Sequence, residues 1–76
     1  MVMYMNYDNI SNSALAELID NWIKGERNRA IMKRRLIDGI CFEPLAEEFE
    51  LSPRNVRYIV NRCEKIIHRH IDSFLP

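Results

Sequence analysis

The sequence predicts an all-α domain of four helices, and three observations support that class. Apolar residues recur at the 3.6-residue helical period through most of the chain. Ser and Pro stand where helices would begin, and Gly where they would end. With 76 residues, of which 47% are hydrophobic, the chain has material for one core and little more. The expected helices cover about 13–24, 27–38, 43–49 and 53–72. Residues 1–12 then form an N-terminal arm and 13–76 a single domain.

The arm, through Asn9, alternates Met, Val and Tyr with little helical signal. It is expected to be irregular or briefly extended, with Tyr4 and Tyr7 covering the core. Ser11, Asn12 and Ser13 offer N-caps for the first helix, in which Leu15, Leu18, Ile19, Trp22 and Ile23 fall on one face. Trp22 is expected to anchor this helix against those that follow.

Gly25 ends the first helix. Glu26 opens the second, and Gly39 is its C-terminal stop. In that helix Arg27, Arg29, Lys33, Arg34 and Arg35 surround Ala30, Ile31, Met32, Leu36 and Ile37. Two apolar edges suit a helix held between neighbours, its cations reaching outward on their apolar stems. Ile40 and Phe42 pin the linker around Cys41.

The third helix places Leu45, Ala46 and Phe49 on one side, and Leu51 supplies an apolar plug in the break after it. At the start of the fourth, Ser52 can accept hydrogen bonds from the first free N–H groups, and Pro53 has no N–H to leave unpaired. Its apolar face runs Val56, Ile59, Val60, Cys63, Ile66, Ile67, Ile71 and on to Phe74. The opposite face carries Arg54, Asn55, Arg57, Tyr58, Asn61, Arg62, Lys65 and Arg69, with Glu64 the only acid.

If the last two helices cross steeply, residues 42–60 form a helix-turn-helix whose second helix can read DNA. Guanidinium forks suit guanine edges and phosphates, a side-chain amide suits adenine, and a phenol suits a phosphate oxygen. The formal net charge is zero, which by itself argues poorly for nucleic acid. The distribution argues better. Residues 24–35 hold six bases and one acid, 36–50 five acids and no base, and 51–70 five bases and one acid. One face can therefore be positive while another is negative.

The stretch FEPLAEEFELSPRNVRYIVNRCEKI resembles the helix-turn-helix of the fourth conserved region of bacterial sigma factors and the small sigma-like proteins of phages and mobile elements. Leu45-Ala46, Leu51-Ser52, Val56-Arg57-x-Ile59 and Arg62-Cys63-x-Lys65-Ile66 carry the likeness. With Arg34-Arg35-Leu36-Ile37-Asp38-Gly39 it extends over about residues 26–70. The family pattern has Gly in the turn where this chain has Glu50, and a left-handed conformation there costs a non-Gly residue roughly 1 kcal/mol.

The resemblance implies sequence-specific binding of double-stranded DNA by a small transcription regulator, with RNA polymerase as a further partner. The expected site is Arg54, Asn55, Arg57 and Tyr58 at bases or adjacent phosphates, Asn61 on the same face, and Arg62, Lys65, Arg34 and Arg35 at the backbone. Nothing in the chain resembles the larger helical domain that reads the −10 promoter element, so a regulator fits and a complete sigma factor does not. Ile71, Phe74 and Leu75 either fold back on the arm or form a homodimer seam. A symmetric dimer would space two recognition helices about 34 Å apart.

A competing expectation is a protein-interaction module that keeps the shape without reading DNA. Its partner would be RNA polymerase, a phage packaging component or a host defence protein, met by the acidic set Glu43, Glu47, Glu48 and Glu50. Cys63, His68 and His70 lack the tight paired spacing of a zinc site, and Cys41 is distant, so no metal, cofactor or disulfide is expected. No Gly-rich phosphate loop and no nucleophile with an assignable base point to an enzyme. No apolar run reaches membrane-span length and no secretion signal opens the chain, which places it in the cytoplasm.

Overall fold

The computed structural model describes residues 10–71. Among them are four helices and no strand: α1 (Asn12–Trp22), α2 (Glu26–Leu36), α3 (Phe42–Phe49) and α4 (Pro53–His70). Of the expected arm, residues 1–9 lie outside the described residues, as do Tyr4 and Tyr7. The last three arm positions already belong to the domain: Ile10 is buried, Ser11 caps α1 and Asn12 is helical.

Both sequence-predicted serine caps form. Ser11 Oγ accepts from the Ala14 N–H at 3.1 Å, and Ser52 Oγ accepts from the Asn55 N–H at 3.1 Å. Each satisfies one of the N–H groups that the first helical turn leaves unpaired. α1 stops two residues earlier than expected. Ile23 turns extended and is buried, while Arg29 reaches back from α2 to donate to its carbonyl oxygen at 3.1 Å. Gly25, at φ 91°, then becomes the N-cap of α2. α2 also ends early, at Leu36, and Gly39 makes the turn at φ 73°.

α3 ends in a Schellman closure at Glu50, which adopts the left-handed conformation at φ 58°, ψ 44°. The Leu51 N–H donates to Ala46 O at 2.9 Å and the Glu50 N–H to Glu47 O at 3.2 Å, the paired bonds of that motif. Leu51 packs against the core beside them. The turn therefore keeps the shape that usually takes Gly, and Glu50 bears the strain.

One core joins all four helices: Leu15, Leu18 and Ile19 of α1, Ile31 and Met32 of α2, Leu45 and Ala46 of α3, and Val56, Val60, Cys63 and Ile67 of α4. Ile71 is buried in it as well. The apolar face read along the fourth helix thus continues into the core at Ile71, and Phe74 and Leu75 lie outside the described residues. Trp22 is not a core anchor. It remains 45% exposed, with its ring flat on His70 at 3.6 Å between centroids and 2° between planes. It ties the end of α1 to the end of α4 from the surface.

Candidate nucleic-acid interface

The exposed side of α4 is set by its buried side. Val56, Val60, Cys63 and Ile67 face the core, so at about 100° per residue Arg54, Tyr58, Asn61, Arg62 and Lys65 fall opposite them. All five are exposed, Tyr58 to 61%. Asn55 lies on one flank of this stripe and Arg57 on the other. The Ser52 cap fixes the turn from which Arg54 and Asn55 project. Arg62 Nη1 donates to the Tyr58 hydroxyl oxygen at 3.4 Å, and its guanidinium sits 5.6 Å from the Tyr58 ring centroid. Arg54 and Lys65 form no ion pair among the described residues.

Arg57 leans toward α3, its guanidinium 5.2 Å from the Phe42 ring centroid. Arg35 of α2 lies over the same ring at 4.2 Å, while its Nη1 donates to Ile40 O at 3.0 Å. Phe42 thus brings one α2 cation to the edge of the α4 stripe. Sequence reasoning saw Phe42 only as a pin for the linker; an aromatic opening a helix between two basic runs was the available signal.

Arg34 does not join them. Its Nε and Nη2 grip the Glu48 carboxylate at 2.8 to 3.1 Å, and Nη1 bonds Asp38 at 3.0 Å. Glu48 first, and then Asp38, holds its pKa above the usual arginine value. Arg34, expected at a phosphate, holds carboxylates at both ends of its fork in the free chain, tying α2 to α3. Lys33 likewise pairs with Asp20 of α1 at 2.8 Å. Four of the five α2 cations thus bond within the chain, and Arg27 is exposed.

The acidic residues Glu43, Glu47, Glu48 and Glu50 are all exposed on or just after α3. Both cysteines are free, Cys41 exposed and Cys63 buried, and burial pushes the Cys63 thiol up. Among the described residues no cluster of His, Cys, Asp or Glu is arranged to hold a metal ion, and no helix is long and apolar enough to cross a membrane.

Comparisons with protein-family models, with curated proteins and with solved structures find no match to this chain.

Proposed function

We propose that the protein binds double-stranded DNA through α4, presented by a sigma-like helix-turn-helix formed by α3, the Glu50 turn and α4, and that it acts as a small transcription regulator. The observation that carries this reading is the α4 stripe. Arg54, Tyr58, Asn61, Arg62 and Lys65 are exposed along one helix side, and among the described residues their one side-chain hydrogen bond joins Arg62 to Tyr58. The helix is 18 residues long, about 27 Å at 1.5 Å per residue, which suits a major groove. Arg54 and Asn55 in the first turn, with Arg57 and Tyr58 in the next, approach base edges or neighbouring phosphates. Arg62, Lys65 and Arg35 meet the backbone.

Fluorescence anisotropy on DNA fragments selected for binding tests this. With about four phosphates neutralised, log K falls with log salt at a slope near −3.6. A folded chain that raises the anisotropy of no fragment even at low salt contradicts the reading.

A second reading, a protein-docking module, is favoured by one observation: Glu43, Glu47 and Glu50 are exposed on the α3 side and engage no cation among the described residues. A basic partner such as a surface of RNA polymerase would suit them. A partner captured from nuclease-treated lysate and lost on changing these three residues to Gln favours this reading over the first.

A further inference from the structure

Beside the α4 stripe, where the end of α1 and the first turn of α2 come up to α4, lies a cleft of about 330 Å³. That is the lower end of the range for small-molecule sites, roughly 300–1,000 Å³. Its base is apolar, made by Ile59, Ile66 and the buried Ile23 and Cys63. Trp22 and Tyr58, the large hydrophobic side chains left exposed among the described residues, both border it. Aromatic surface kept in water beside an apolar base favours a flat ring as occupant.

The polar groups narrow the choice. Lys24 and Arg62 are the charged residues lining the cleft, so its rim is cationic with no carboxylate to balance it. Asn28 also lines it, and its Oδ1 is buried without a hydrogen-bond partner. A buried amide oxygen in that state carries an uncompensated desolvation cost. Because it holds no bond in the empty chain, the side chain can turn toward a donor on a ligand without breaking one.

We infer that this cleft binds a planar aromatic anion of about bicyclic size that carries an N–H or O–H donor. The ring packs against Trp22 and Tyr58, the anionic group reaches Lys24 and Arg62, and the donor meets Asn28 Oδ1. The site stands on the cleft alone. Its effect on DNA binding rests on the α4 reading above, because Tyr58 and Arg62 border the cleft and also belong to the stripe, so an occupied cleft competes with DNA for them.

Indole-3-propionate is a suitable probe, with tryptamine as the cationic relative of the same ring. In an NMR titration of the full chain without nucleic acid, shifts should saturate and concentrate on the Trp22 indole N–H, the Asn28 side-chain amide and the Ile59 and Ile66 methyls. Losing a charge-assisted hydrogen bond weakens binding about tenfold, so tryptamine should bind at least that much more weakly. Arg62→Gln, at an exposed position, should cause a similar loss for indole-3-propionate without unfolding the chain.

Equal binding of the two compounds overturns the inference, as does the absence of saturable shifts at about 10 mM. The same residues shifting with protein concentration alone also overturns it, since the groove is then a seam between copies. Saturable binding by a chain that forms no DNA complex leaves the site standing and removes the α4 reading. Where a DNA complex does form, indole-3-propionate should weaken it severalfold.

Discussion

α2 and α4 each carry five Lys or Arg residues, but the two sets meet different surroundings. α2 packs against α1, α3 and α4, which brings carboxylates from two of those neighbours within reach. Lys33 takes Asp20 of α1, Arg34 takes Glu48 of α3, and Arg29 and Arg35 bond backbone carbonyls at Ile23 and Ile40. α4 turns its apolar side to all three neighbours, so its opposite side meets none of their acids. Four of the five α2 cations thus serve as internal fastenings, while no α4 Lys or Arg is paired with a carboxylate among the described residues. Which of the two occurs depends on how many sides of the helix are covered.

The contrast can be tested from both ends. The largest effect is expected from Arg54→Gln, Arg62→Gln and Lys65→Gln combined. At roughly 1 kcal/mol or more per contact, DNA affinity should fall at least about 100-fold. A denaturant midpoint measured on the same variant should hardly move, because exposed substitutions away from packing usually stay within about 0.5 kcal/mol. If stability collapses instead, α4's cations are fastenings as well, and the distinction is lost.

Next in size is Glu50→Gly. It relieves the left-handed strain in the turn that presents α4 and should raise stability by about 1 kcal/mol in urea titration. A loss would mean that the Glu50 side chain supports the turn in a way its geometry does not show.

Arg34→Gln should do the reverse of the α4 triple variant. It should lower the melting midpoint by releasing Glu48 and Asp38, with less effect on DNA affinity than Arg54→Gln measured side by side. The pairs are exposed, so the shift is modest.

The smallest effect concerns Cys63. Its folded-state pKa is raised by burial, so the stability it contributes is complete below the pKa of an unfolded thiol and is lost as pH rises through the folded value. In alkaline melts the native chain should therefore lose stability with rising pH more steeply than Cys63→Ala, the other titrating groups being common to both. At neutral pH a thiol alkylating agent should modify the exposed Cys41 well before Cys63.

Much of this was legible before any coordinates. The 3.6-residue period located all four helices, and Ser11 and Ser52 cap helix starts as read, while α2 stops at Leu36, short of the end that Gly39 was read to mark. Val56, Val60, Cys63 and Ile67 were readable as one buried face because periodicity within a helix is a local property. What stayed hidden was tertiary. Arg34 and Glu48 are 14 residues apart, and no local rule pairs them. Trp22 fell on the apolar stripe of α1, but the helix ends at that residue, leaving its ring at the rim beside His70. The orphaned Asn28 Oδ1 gave no sequence signal, since an Asn in a first helical turn is ordinary.

The Schellman turn at Glu50 has one more implication. Two backbone hydrogen bonds and the Leu51 side chain hold α3 and α4 as a corner, so the pose of α4 owes little to the residues along its outer side. Arg54, Asn55, Tyr58 and Asn61 can be exchanged for other polar residues with the scaffold unchanged. The outer side of α4 can thus change residue by residue while folding continues to depend on the buried set.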